Sequence, residues 1–370
     1  MTAQSSFAQK FTDQVLDTIR EHDMIAPGYS ILIAVSGGPD SMALAKVLTG
    51  LKKDLGIRIG LAHLNHMLRG SHALADETFV CEFAREHNLD LVVEKKNIAE
   101  LAKKQRLCVE EAGRNARYDF FTRVACEKGF HRIALGHHRD DNIEQVLMNL
   151  VRGTGPLGLR GIPPVRQGKF IRPLIRIPRA DILAFLDEIN QGYRIDGSNE
   201  DTSYLRNRIR HRLIPFLEKE FNPDIKAGIE RLSGIIAQED DFLDQMAQAA
   251  LDKATTGKKK EQIDLSISAI NKLDRALGAR VIRAALLSVK QNLRRISNIH
   301  IRDILYFAGK KGESGKSLDL PGQIRVYKQR DTMRIKKEET PLRTLGRHLK
   351  TRRYQKGQPD ENPDSDPCIK

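Results

Sequence analysis

Between residues 30 and 151 the chain alternates short aliphatic runs with segments of helical spacing. Ser30–Val35, Ile57–Leu64, Asp90–Lys95 and Arg132–Gly136 are apolar runs of strand length. Ser41–Leu51, His72–His87, Val109–Lys128 and Asp141–Val151 lie between or after them with the spacing of helices. Strand–helix repeats of this kind predict an α/β domain, a Rossmann-like parallel sheet covered by helices on both faces. Ligands of such sheets bind beyond the carboxyl ends of the strands, so the strand-to-helix turns are where chemistry is expected. After residue 175 the rhythm changes. Pro178–Gln191 reads as a helix, and residues 223 to 310 read as helical, with the best periodicity in Ile225–Leu251 and Leu273–Val289. ATTGKKKEQ interrupts them as a linker, and SLDLPGQIRVYKQRDTMRIKK suggests a closing hairpin. The expected organisation is an α/β domain over 1–218, a smaller, mainly helical domain over 219–312, and a hairpin-like segment with a basic tail over 313–370.

The 370 residues fit two or three domains, and 40% hydrophobic content supports a proper core. No apolar run approaches the ~18 residues of a membrane span. The first 22 residues lack the apolar core of a signal peptide and read as an amphipathic helix, so a cytoplasmic protein is expected. A net charge of +14 and a pI near 9.6 point to a polyanionic partner, with generic surface lysine as the alternative. Aromatics make up 5% with no Trp, which disfavours single-strand binding by base stacking. Cys81, Cys108, Cys126 and Cys368 are widely spaced and form no C-x-x-C pair, which argues against a cysteine zinc site or a redox dithiol.

The loop after the first strand is Ser36-Gly-Gly-Pro-Asp-Ser41. Two glycines let successive N–H groups turn inward as an anion nest, and the following helix adds its positive end. Ser36 and Ser41 can donate to the same anion. Asp40 would repel a phosphate there unless a cation intervened, and Mg²⁺ is the natural bridge. A purely structural turn of this composition is the alternative. Two other glycine-rich stretches fail on context. Gly153-Thr-Gly155-Pro-Leu-Gly158 follows a helix rather than a strand, and GESGKS (312–317) has no core strand before it.

The second strand ends in His63-Leu-Asn-His-Met-Leu-Arg-Gly70, where satisfied histidines are favoured over a metal pair. Glu111, Arg114 and Arg117 recur at steps of three on a helix, as a solvated stripe or as a clamp for a nucleotide or RNA phosphate. The fourth strand runs into Gly136-His-His-Arg-Asp-Asp-Asn-Ile-Glu144. Its Asp141 and Glu144, one turn apart, join Asp40 as carboxylates for Mg²⁺ or for an amine and its proton. Asp140 reads as a helix cap. Finally, four arginines fall within residues 206–212, a basic surface suited to nucleic acid.

The first loop, with its downstream partners, resembles the PP-loop ATP pyrophosphatases, which hold the pyrophosphate of ATP on S-G-G-x-D-S and release AMP and pyrophosphate. Six further blocks follow it: H-L-N-H-M-L-R-G, E-A-G-R-N-A-R-Y, L-G-H-H-R-D-D-N-I-E, R-G-T-G-P-L-G-L-R-G-I, I-R-P-L-I and D-G-S-N-E-D-…-R-N-R-I-R. Their order is similar to that in bacterial tRNA(Ile)-lysidine synthases, strongly over residues 28 to 220 and loosely to about 310.

The resemblance implies adenylation of O2 of the wobble cytidine in CAU-anticodon tRNA(Ile), then attack by free L-lysine at C2, giving lysidine and AMP. It implies ATP and Mg²⁺ as cofactors, no membrane, and is compatible with a homodimer. By motif match, Ser36, Gly37, Gly38, Pro39, Asp40, Ser41, Arg114 and Gly136 would bind ATP. Asp40, His137, Asp141, Glu144 and Arg117 would be catalytic, and Asp40, Asp141 and Glu144 would hold Mg²⁺. Arg206, Asn207, Arg208, Arg210 and Arg212 would bind RNA.

Two departures stand out. Gln145 occupies a position where the family usually has Thr. The acceptor-stem-gripping C-terminal domain of longer members is represented only by the hairpin-like stretch and the basic tail, which is expected to substitute for it. The rival readings are a tRNA 2-thiolation enzyme on the same fold, a non-catalytic RNA-binding protein, and an amidotransferase or synthetase acting on a small carboxylate. Isolated cysteines count against the first, intact carboxylates against the second, and the arginine-rich segment against the third.

Overall fold

Aliphatic strands, each followed by a helix that returns the chain, build the first unit of this computed structural model, which describes residues 6–68, 71–194, 205–310, 312 and 314–339. Most of the polar stretch after Tyr193 (195–204) and the basic tail (340–370) lie outside the described residues. The elements of this unit are α1 (Phe7–Glu21), β1 (Ser30–Ala34), α2 (Pro39–Gly50), β2 (Arg58–Asn65), α3 (Ser71–Glu86), β3 (Asp90–Lys95), α4 (Ile98–Gln105), α5 (Val109–Glu127) and β4 (Arg132–Ala134). After them come α6 (Arg139–Val151), α7 (Pro156–Leu159), β5 (Val165–Arg166), β6 (Phe170–Ile171), α8 (Arg179–Glu188), α9 (Leu205–Arg208), a π-helical turn at Ile209–Leu213 and α10 (Ile214–Glu220).

The sheet order is β3-β2-β1-β4-β6-β5, parallel except for the short edge strand β5. Along β1, Ile31 and Ile33 pack into one core layer and Leu32 into the opposite one, the alternation of a strand covered on both faces. Helices α1, α2, α3 and α8 bury the first layer, and α4 and α5 the second. The amphipathic reading of the N-terminus holds: Phe11, Val15 and Ile19 are buried at helical spacing, and Phe11 stacks on Phe185 with ring centroids 4.2 Å apart.

The chain divides into two units, Met1–Ile236 and Ala237–Glu361, inside helix α11 (Ile225–Ala254), somewhat beyond the boundary expected near 218. The second unit contains the expected helices α13 (Arg275–Lys290) and α14 (Asn298–Gly309), with the short α12 (Ile267–Asn271). It also has a five-stranded antiparallel sheet where only a hairpin was expected. That sheet joins β7 (Thr255–Lys259), β8 (Gln262–Ser266), β9 (Ser317–Leu320), β10 (Ile324–Gln329) and β11 (Thr332–Lys337) in the order β7-β8-β11-β10-β9. The supposed linker ATTGKKKEQ is therefore largely strand β7. An edge strand rich in lysine, with no apolar residue to bury, has no period-two signal to read. Ile263, Leu265, Ile324, Val326, Met333 and Ile335 point into this unit's core. No helix among the described residues is long and apolar enough to cross a membrane.

Candidate active site

Strands β1 and β4 are neighbours in the sheet but far apart in sequence, and the chain leaves them on opposite sides. This is the topological switch point at which α/β sheets open a crevice. The loop 36–38 leaves β1 and residues 135–138 leave β4, so both motifs reach the same edge. They meet closely. A Cβ on Gly136 would stand 3.0 Å from the Asp40 carbonyl oxygen and 3.2 Å from Ser41 N, so only glycine lets these backbones approach. A cavity of about 470 Å³ opens there, lined among others by Ser36, Gly38, Asp40, Ser41, Gly136, His137 and Asp141.

The loop itself is a tight turn. Gly37 takes φ +85°, and Gly38 is the N-cap of α2, with Pro39 at the first helical position. Ser41 Oγ accepts the Ser36 N–H at 3.1 Å and donates to the Gly38 carbonyl at 2.9 Å. Ser36 Oγ lies 3.2 Å from it. Two hydroxyls at the N-terminus of α2 fit an anion site. His63 also lines the cavity, with its Nδ1 2.9 Å from the Val35 carbonyl.

On the β4 side, His138 caps α6 reciprocally with Asp141. The His138 N–H donates to Asp141 Oδ2 at 3.1 Å, and the Asp141 N–H donates to His138 Nδ1 at 3.4 Å. Burial alone would raise the Asp141 carboxyl, but His138, Arg206 and His137 together hold it below the ordinary aspartate value. Asp40 goes the other way. Burial pushes its carboxyl up, only partly offset by His138 at 3.8 Å and Arg179 at 3.6 Å. Burial beside several arginines drives His137 down to about 3, so its imidazole is neutral in the cavity wall. Its Nδ1 is buried with no hydrogen-bond partner.

Helix α5 supplies the cations. Arg114 and Arg117 line the cavity together with Glu110 and Phe121, a stripe at positions i, i+4, i+7 and i+11. The acidic member of the face is thus Glu110, where the sequence spacing suggested Glu111. Arg114 also lies over the Tyr118 ring, 5.2 Å from its centroid. Buried Arg172 donates to the Pro163 carbonyl at 2.6 Å and to the Tyr118 hydroxyl at 3.4 Å.

The arginine-rich segment splits. Arg206 donates to Glu144 Oε2 at 2.6 Å and to Asp141 Oδ1 at 2.7 Å, and Arg210 donates to Glu144 Oε1 at 2.5 Å. These two therefore turn inward and close over a Glu144 that is only 1% exposed. Arg212 is exposed, and Asn207 and Arg208 are half-buried. The expected set of five RNA contacts is not one surface in this arrangement.

The sequence singled out Asp40, His137, Asp141, Arg114, Arg117 and Gly136, and all six reach one cavity. It passed over His138, the cap that orients Asp141, whose only signal was its place beside His137. Asp140 is a cap as expected, but for a different helix: its Oδ2 accepts the Arg179 N–H at the start of α8, at 2.9 Å. Gln145, at the position of the family's usual Thr, donates to Asn149 Oδ1 at 3.0 Å along its own helix.

The three-carboxylate magnesium set is not assembled. Among the described residues no three His, Cys, Asp or Glu side chains converge to hold a metal, and Glu144 is spent on two arginines. Asp40 differs: its Oδ1 is buried with no hydrogen-bond partner. A carboxylate oxygen orphaned beside an anion nest fits a divalent cation shared with a polyphosphate.

Comparison with known proteins agrees with this geometry. Residues 5–217 match the model of the PP-loop domain, and residues 265–330 that of the TilS substrate binding domain. The tRNA(Ile)-lysidine synthase of Clostridium tetani is 36% identical over 327 residues, 88% of this chain and 69% of that protein. The one from Geobacter sulfurreducens is 39% identical over 319 residues, 85% of this chain and 67% of that protein. In fold, a U34-tRNA thiolase from Methanococcus maripaludis superposes with a TM-score of 0.52 at 20% identity, over 62% of this chain and 80% of that one. That likeness extends to the fold alone, whereas the sequence relatives span both motif-bearing regions. The chain belongs to the tRNA(Ile)-lysidine synthase family.

Proposed function

We propose that this chain converts the wobble cytidine of CAU-anticodon tRNA(Ile) to lysidine in the cytoplasm, using ATP and free L-lysine. One observation carries the reading. A phosphate nest, an orphaned carboxylate oxygen on Asp40 and the carboxylate of Asp141 share a single cavity with Arg114 and Arg117.

The loop 36–41 holds the β- and γ-phosphates, and Arg114 and Arg117 face the α-phosphate. Asp40, with its unpartnered Oδ1, would hold Mg²⁺ together with the phosphates, and that ion would supply charge neutralisation for the pyrophosphate leaving group. Cytidine O2 attacks the α-phosphorus, the bond to the bridging oxygen breaks, and pyrophosphate leaves. This turns a poor leaving group into a good one. The lysine amine then attacks C2, the C2–O2 bond breaks, and AMP departs with that oxygen. Asp141, kept as a carboxylate, binds the ammonium form of lysine and takes the proton that the attacking nitrogen gives up. His137, neutral, offers Nδ1 as a hydrogen-bond group and carries no charge. Glu144 sets Arg206 and Arg210 in place. Arg212, exposed, meets the RNA backbone.

The test is ATP cleavage with each substrate left out. AMP release that needs both lysine and the tRNA supports the reading. AMP release that needs a sulfur donor and ignores lysine contradicts it in favour of thiolation.

A further inference from the structure

Arg194 belongs to none of the motifs assigned above, yet it touches the phosphate loop at its tightest point. Its backbone N–H donates to the Gly37 carbonyl at 2.8 Å. Its side chain lies along Gly37, where a Cβ would meet Arg194 Cγ at 3.5 Å and the Phe79 ring at 3.7 Å. Its guanidinium is anchored on α3, with Nε 3.1 Å from Asp76 Oδ1.

A trans peptide is planar, with its C=O and N–H pointing to opposite sides. A Gly37 carbonyl drawn outward to Arg194 therefore sends the next N–H, that of Gly38, inward to the concave side of the loop. Ser36 Oγ lies 3.4 Å from it there. Gly37, at φ +85° and without a Cβ, leaves this peptide room to rotate, and beside the long Ser36 contact the shorter bond from Arg194 restrains it.

We infer that Arg194 is a positioning residue for the nucleotide: pinned by Asp76, it fixes the Gly37–Gly38 peptide with its N–H toward the triphosphate. The inference rests on the reading that this loop binds ATP. Pre-organised donors save the cost of ordering them on binding, so losing the pin is felt in nucleotide affinity before chemistry.

The experiment measures mant-ATP affinity, together with the ATP KM and kcat of lysine transfer, for the full chain carrying Arg194→Ala, Arg194→Lys, Asp76→Asn or both Arg194→Ala and Asp76→Asn. Arg176→Ala, which breaks an exposed ion pair with Glu21, is the control. Removing a hydrogen-bonded anchor is expected to weaken mant-ATP and raise the ATP KM roughly fivefold, with a smaller fall in kcat and partial rescue by Arg194→Lys.

Asp76→Asn is the decisive variant. It removes a negative charge beside the phosphates, so a purely electrostatic role would tighten ATP, whereas the pin requires it to weaken ATP, and the double variant to be no worse than Arg194→Ala. Tighter binding by Asp76→Asn, or affinities within twofold of the unmodified chain for both single variants, overturns the inference. An unmodified chain that binds mant-ATP yet incorporates no lysine overturns the functional reading alone, and the affinity ratios still judge the pin.

Discussion

Glu144 Oε1 accepts a hydrogen bond from Arg210 Nε at 2.5 Å, and the other carboxylate oxygen is shared with Arg206. One carboxylate thus binds two guanidiniums that reach it from an element more than sixty residues further along the chain, and Asp141 supplies the second negative charge. The residue orders the arginines before it can do anything to a substrate.

Glu144→Ala is therefore expected to cost about 3 kcal/mol, the usual cost of breaking a buried ion pair from one side, along with lysine transfer. Urea unfolding measures the first and the labelled-lysine assay the second. An unfolding midpoint equal to that of the unmodified chain would mean that the arginines do not depend on this carboxylate.

Asp40 and Asp141 are expected to respond with opposite sign. The Asp40 carboxyl is raised by burial, so its charge is a burden on the folded state that appears as pH climbs above the ordinary 3.8 and is complete above the raised folded value. Asp40→Asn should melt higher than the parent at pH 7, lose ATP cleavage, and converge with the parent below pH 3.8. The Asp141 carboxyl is lowered, so its stabilisation is present above 3.8 and is lost as pH falls through the lower folded value. Asp141→Asn should melt lower at pH 7, with the gap narrowing in acid. Melting curves of both variants across pH check the pair, and a shared sign would contradict the assignment.

His137, at about 3, does not change charge between pH 5 and 8. His137→Gln is expected to slow lysine transfer while leaving the shape of the pH–rate profile in that range unaltered. Loss of a limb with a midpoint near 6 to 7 in the variant would show that this imidazole titrates in the reaction.

Arg212 and Arg206 are expected to separate by salt. Exposed Arg212, if it meets a phosphate, should on truncation to Ala weaken tRNA binding and lower the slope of log K against log salt by about 1. Arg206→Ala should instead lower turnover, with the salt slope unchanged, because its guanidinium is spent on Asp141 and Glu144. Filter binding over a salt series distinguishes them, and equal slope changes would mean that both face RNA.

What the sequence made legible follows the physics of each feature. The loop after β1, the helix-start aspartate and the two arginines of α5 could be read because a parallel sheet sends its strand ends to one edge. The two arginines that turn inward could not, because a run of like charge says nothing about direction and their partner is remote in the chain. Glu110 was missed in favour of Glu111 because steps of three drift off a helical face, whereas four-then-three stays on it. Strand β7 was read as linker because lysines at an exposed edge leave no alternation. His138 drew no attention because a cap acts through its neighbour.

The central claim is tested most directly by incubating the protein with ATP, Mg²⁺ and labelled lysine, using unmodified CAU-anticodon tRNA(Ile) against CAU-anticodon tRNA(Met). The account predicts label in the isoleucine tRNA, absent from the methionine tRNA, with one AMP released per lysine incorporated. ATP consumed with no label in either tRNA would contradict it.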